Sequence, residues 1–130
     1  LLGGCFSEDV QTDFYFFDGA TPTHLDGLDA LIGFIDGFAS STGYHTARNT
    51  PGNVSVEMTG SSSARVVSSG TTPHFSRLPA TAGDPAFVDM ISARYVNEVT
   101  LGSDGVWRTT VFTIHVDEIW RAEGAFPMGQ

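Results

Sequence analysis

A near-neutral imidazole can take a proton at physiological pH, as a general base does, and His45, at the start of a β-type run, is one of four histidines in the chain. The bland alternative is a histidine at the start of a strand, bonded to backbone or water. Tyr95 and Asn97 lie two apart in a β-type run, so they point to one face. A phenol and an amide there could donate hydrogen bonds to a substrate oxygen, or could simply satisfy themselves at a pocket edge. Phe14 and Phe16 share a face in the same way and are candidates to line a cavity or to pack the core. His115 and Asp117 also share a face, but two ligands with no third at useful spacing do not make a metal site, and neither metal nor cofactor is expected. His24 and His74 lie beside Pro-containing turns and read as solvated, while Cys5 lies in an apolar stretch suited to burial. No Gly-rich phosphate loop follows a strand and no Gly-x-Ser-x-Gly elbow occurs, which disfavours nucleotide binding and serine or cysteine hydrolase chemistry.

The elements that must carry these groups follow from pattern. Ser7-Glu8-Asp9 reads as the end of an opening helix, and Val10–Phe17 as an aromatic strand closed by an Asp18-Gly19 turn. Asp26 is the expected N-cap of a helix from Gly27 to Phe38, with Leu28, Leu31, Ile32, Ile35 and Phe38 at helical spacing. Beyond Gly43 the period changes, and Tyr44–Asn49, Val54–Thr59, Ala64–Thr72, Phe87–Leu101 and Val106–Trp120 read as strands pairing antiparallel. Gly60-Ser61-Ser62-Ser63 and Gly102-Ser103-Asp104-Gly105 supply short hairpin connections, Leu78–Pro85 a longer loop, and Phe126–Gln130 a loose tail. Trp107 and Trp120 bracket the last strand and are expected to bury in packing or a subunit contact. A helix followed by strands without further crossovers is an α+β arrangement, and long twisted strands curl around a helix so that a cavity can remain.

Composition bounds the rest. With 130 residues the chain suits a single domain, and 41% apolar and 12% aromatic content can fill a core. The formal charge of −9, from fifteen acidic residues against six arginines, leaves no basic stripe for nucleic acid or an anionic membrane. A lone cysteine makes no internal disulfide, so a reducing, cytoplasmic compartment is the default. The start, Leu1-Leu2-Gly3-Gly4-Cys5-Phe6, reads as an apolar helix entered near its end.

Several segments, taken in order, resemble one family. Phe6-Ser7-Glu8-Asp9-Val10 before an aromatic strand, Gly27-Leu28-Asp29-Ala30-Leu31 opening a helix, His45-Thr46-Ala47-Arg48-Asn49, Gly60-Ser61-Ser62-Ser63-Ala64-Arg65-Val66, and Arg94-Tyr95-Val96-Asn97-Glu98 with Asp104-Gly105-Val106-Trp107-Arg108 are together similar to the SnoaL-like branch of the nuclear transport factor 2-like superfamily. The resemblance implies a cone-shaped, curved antiparallel sheet wrapped around helices with a central apolar pocket, a cystatin-like roll. Its relatives, among them scytalone dehydratase, polyketide cyclases and ketosteroid isomerase, remove a proton next to an activating group in a dry pocket.

His45 aligns with the base of the dehydratase-type members, whose orienting Asp sits on a first helix that the given sequence does not include. Where such members carry an Arg, this chain has Phe112. Phe14 stands where the isomerase has its catalytic carboxylate, and Asn97 falls near that enzyme's oxyanion-side acid. Arg94 lacks the Asp two residues on that an epoxide hydrolase of this fold needs, since Val96 stands there. Two readings remain open: a lyase or isomerase for a small apolar, steroid-, polyketide- or terpenoid-like molecule with His45 as base, and a non-catalytic binding or assembly module. A homodimer is expected under both.

Overall fold

In this computed structural model the described residues are 4–17, 19–47, 49–76 and 87–123, without the side chains of His45 and Thr46. Asp18, the Leu78–Pro85 loop and the Phe126–Gln130 tail expected above lie outside them. The elements run β1 (Phe6–Phe16), β2 (Thr23–Asp26), α1 (Leu28–Thr42), β3 (Tyr44–Ala47), β4 (Pro51–Met58), β5 (Ser63–Ser76), β6 (Phe87–Leu101) and β7 (Trp107–Glu123).

The opening differs from expectation. Ser7-Glu8-Asp9 is strand rather than helix end, because Phe6 pairs with Thr109, and the Thr109 N–H donates to Cys5 O at 2.8 Å. Cys5 is exposed, not buried. A strand the sequence reading lacks, β2, pairs antiparallel with β1 from Gln11–Asp26 to Phe14–Thr23. That pairing takes Asp26 away from its expected capping role: Gly27 is the N-cap, at φ 84°, and no side chain caps the helix. The Gly27 N–H instead donates to Val10 O at 2.8 Å.

The helix continues past Phe38 to Thr42, with the Ser41 and Thr42 hydroxyls donating back to Phe38 O, and ends at Gly43 in the left-handed region, φ 74°. Its inward stripe is Leu28, Leu31, Phe34 and Phe38, whereas Ile35 is 37% exposed. Phe34 takes the inward place because its ring meets Phe14 at 4.6 Å between centroids.

One seven-stranded sheet has the order β2-β1-β7-β6-β5-β3, with β4 also paired to β5. Every pairing is antiparallel except β1–β7, which is parallel. The sheet is therefore mixed; five strands and a helix separate β1 from β7 in the chain, so no hairpin forces their direction. It is curved and does not close on itself. Two register shifts between the long strands β6 and β7, at Ser92/Ala93 and Glu98/Val99, each insert an extra residue on β7 and bend the ladder. Inside the curve α1 covers a core of Val10, Phe14, Leu31, Tyr44, Ile91, Ala93, Ile114 and Val116. No helix among the described residues is long and apolar enough to cross a membrane.

Candidate functional site

The cross-strand registers sort the inner face into rows. Val66, Asn97, Phe112 and Thr12 make one row and Ser68, Tyr95, Ile114 and Phe14 the next. Gly70, Ala93, Val116 and Phe16 follow, then Thr72, Ile91 and Ile119, and at the far end His74, Asp89 and Arg121. The face is thus polar and aromatic at the Asn97 end, apolar in the middle and ionic at the Asp89 end.

At the Asn97 end lies a cavity of about 250 Å³. One wall is an aromatic shelf: Phe6 meets Phe112 at 5.3 Å between centroids, and Tyr95 stacks on Phe112 at 6.3 Å with planes 9° apart. The opposite wall is the backbone segment Asn49-Thr50-Pro51, which crosses β5 closely enough that a Cβ on Gly70 would come within 2.6 Å of Thr50 O. Thr72 Oγ1 donates to Asn49 Oδ1 at 2.9 Å and fixes that wall to the sheet. Ser68 and Asn97 complete the polar lining, and none of the ten lining residues carries a charge.

Asn97 Oδ1 is buried with no hydrogen-bond partner. A half-turn of the amide exchanges this acceptor for the Nδ2 donor, so the position can accept from a hydroxyl or donate to a carbonyl. An unpaired buried polar atom costs about 1–3 kcal/mol. Among the described residues the one other such atom is Thr12 Oγ1, in the same row. Among the sequence candidates, then, Tyr95 and Asn97 meet in one cavity. Phe14 and Phe16 stack on each other at 6.2 Å, and Phe14, 9% exposed, packs against Phe34 in the core, so neither is among the lining residues. The backbone of His45 lies in β3, between Tyr44, paired with Ser76, and Thr46, paired with Phe75; its side chain lies outside the described residues. The chain reaches the cavity wall at Asn49, at the end of the segment whose pattern singled out His45.

The ionic end went unread in the sequence. Asp89, 2% exposed, accepts Arg121 Nε at 2.7 Å and Nη2 at 2.8 Å, and Tyr44 Oη at 2.7 Å. The Arg121 guanidinium holds the Asp89 carboxyl below the usual carboxylate range, while burial and the Asp89 hydrogen bond push the Tyr44 phenol up. His74 is half-buried rather than solvated; its Nδ1 donates to Thr72 O at 3.0 Å, and burial pushes the imidazole down. One signal could have found the cluster: in Phe87–Leu101 an acid stands at the same parity as Ile91 and Ala93, where only a paired charge is tolerated.

On the outer face the remaining candidates pair off. His24 is exposed and bridges Asp13 at 2.6 Å and Asp26 at 3.2 Å, which raises its pKa. Asp117 accepts a two-pronged contact from Arg94, and His115 stacks on Tyr15 at 4.6 Å. Among the described residues no group of three His, Cys, Asp or Glu is placed to hold a metal ion. Trp107 and Trp120 are 41% and 53% exposed in the single chain.

No protein-family model and no curated protein matches the sequence. Solved structures do match the fold. Hexachlorocyclohexane dehydrochlorinase LinA-type3 from Novosphingobium barchaimii superposes with a TM-score of 0.69 at 14% identity, over 99% of this chain and 80% of that one. A ketosteroid isomerase-like protein from Erwinia carotovora atroseptica gives 0.53 at 14% identity, over 87% and 76%. A domain of unknown function with a cystatin-like fold from Nostoc punctiforme gives 0.57 at 20% identity, over 87% and 61%. The chain thus has the nuclear transport factor 2-like fold that its sequence resembles.

Proposed function

We propose that this protein is a lyase or isomerase that removes a carbon-bound proton from a small, neutral, largely apolar molecule, with His45 as general base, and that it works as a homodimer. The observation that carries the reading is the partnerless Asn97 Oδ1 beside Tyr95 in a cavity without charged walls. Such a cavity rejects an ionic substrate by desolvation and accepts a flat apolar one against Phe6 and Phe112.

When a proton leaves carbon next to a carbonyl, negative charge grows on the oxygen. Hydrogen bonds from the Asn97 amide and the Tyr95 hydroxyl would strengthen as that charge develops, which lowers the barrier rather than merely binding substrate. A neutral imidazole then receives the proton, and the imidazolium returns it to a neighbouring carbon in an isomerisation or to a leaving hydroxyl in a dehydration. Fold neighbours that include a dehydrochlorinase and an isomerase-like protein support this class of chemistry.

The test is turnover of cyclic β,γ-unsaturated ketones and β-hydroxy ketones by the full chain and by His45→Ala. Loss of turnover by about 10²–10⁴-fold in the variant is expected for removal of a general base. Unchanged turnover removes His45 from the mechanism, and tight binding of every ketone without product by the parent chain establishes the binding-module reading instead.

A further inference from the structure

We infer that the buried Tyr44–Asp89–Arg121 cluster positions the short strand that carries His45, an inference that rests on the functional reading above. The strand needs such help. β3 is four residues long, lies at the sheet edge, and its pairing with β5 is irregular between Tyr44 and Thr46, at His45 itself. A ladder that short and broken opens at low cost, so the backbone at this residue has to be held by something else.

What holds it is the side chain immediately before it. Tyr44 is 7% exposed, its ring packs against Phe38, His74 and Phe87, and its hydroxyl donates to Asp89. Asp89 cannot swing away, because the planar fork of Arg121 grips both carboxylate oxygens from β7 and the guanidinium lies 3.8 Å over the centre of the Phe87 ring. On the other side of Tyr44, Gly43 in the left-handed conformation ends α1 and aims the chain into β3.

Apolar residues of similar volume in place of all three side chains of the cluster would pack as well without the desolvation cost of an ionised acid. The ion pair adds direction: it sets the Tyr44 hydroxyl, and with it the strand, at one point over β6 and β7. Tyr44, Asp89 and Arg121 are accordingly positioning residues that act through the place they give His45. None of the three is among the residues lining the cavity.

Asp89→Asn and Arg121→Lys test this far from His45 in sequence, using the full chain with labelled histidines. The expected result in both is a displaced His45 ring ¹H–¹³C cross-peak, exchange of the His45 and Thr46 amides at least about tenfold faster, and His24 and His115 cross-peaks left in place. With a cyclic β,γ-unsaturated ketone, kcat should fall about tenfold while KM stays within about twofold, as misplacement of a base predicts. Arg121→Lys, which keeps a charge on Asp89, should lose less than Asp89→Asn. A folded variant in which the His45 signals do not move overturns the inference, and if Asp89→Asn fails to fold, Arg121→Lys decides alone. Should His45→Ala keep full turnover while these signals still move, the functional reading falls and the positioning of the strand stands.

Discussion

A side chain kept for binding rather than for folding should cost stability, and Asn97 offers that test. Its Oδ1 is buried without a partner, so an apolar replacement of similar size removes a penalty while deleting the group that meets the substrate. Asn97→Leu should therefore melt at the same temperature or higher, and should turn over ketones at least about tenfold more slowly. A lower melting temperature with intact turnover would mark Asn97 as structural. Acid stability reads the ionic end of the same face. Asp89, held low by Arg121, contributes stability above the ordinary carboxylate pKa of about 3.9 that is lost as pH falls through its lower folded value. His74, pushed down by burial, resists a proton that the unfolded chain accepts near pH 6.5, so stability should already fall as pH drops below about 6.5. His24, raised by Asp13 and Asp26, works in the opposite sense just above that range, adding stability as pH falls toward about 6.5, so the measurement belongs in a His24→Gln background. Urea midpoints followed from pH 7 downward should show two declines, and His74→Gln should abolish the first. Tyr95 and Asn97 were legible as a pair because period-two alternation holds across that stretch of β6. Arg121 was not: strict alternation from Ile114 and Val116 would turn it outward, and only the extra residue at Asp117 brings it back to the inner face.

The elements show the same division between what periodicity carries and what contact decides. α1, β6 and β7 follow from long runs whose apolar spacing fits one state, whereas β2 has four residues and forms because β1 offers it an edge. The helix stripe was legible at Leu28, Leu31 and Phe38, but the choice of Phe34 over Ile35 depends on the Phe14 ring across the gap. Gly70 is a case where the sheet's requirement is visible only in three dimensions. Its position in β5 would tolerate a side chain were Thr50 O not so close, and that same close approach makes the cavity wall. Gly70→Ala must push the Asn49-Thr50-Pro51 segment outward, so we expect a cost of about 1–3 kcal/mol, a melting temperature lower by several degrees, and weaker ketone binding as the wall moves. An alanine variant with parent stability and parent affinity would show that the segment yields freely.

At the scale of the whole molecule the convex face of the sheet bears on the proposed dimer. The extra residue at Asp117 that turns Arg121 inward also turns Trp120 outward, where it is 53% exposed beside its cross-strand partner Met90, itself paired with Pro73. Phe75, 37% exposed, adds to the same side of β5 and β6. A contiguous apolar strip on a chain with charge −9 is an expensive thing to leave in water, and a two-fold pairing would cover it with its own copy. The charge also fixes how such a dimer responds to salt: two like-charged protomers repel, so added salt should tighten association by screening, where an interface held by ion pairs would loosen. Sedimentation of the parent chain at micromolar concentration should give a dimer that strengthens with ionic strength, and Trp120→Glu, which places a further negative charge at the strip, should sediment as a folded monomer. A monomeric parent at all salt concentrations, or a Trp120→Glu dimer, would place the subunit contact elsewhere or remove it, leaving the cavity at the Asn97 end to work within a single chain.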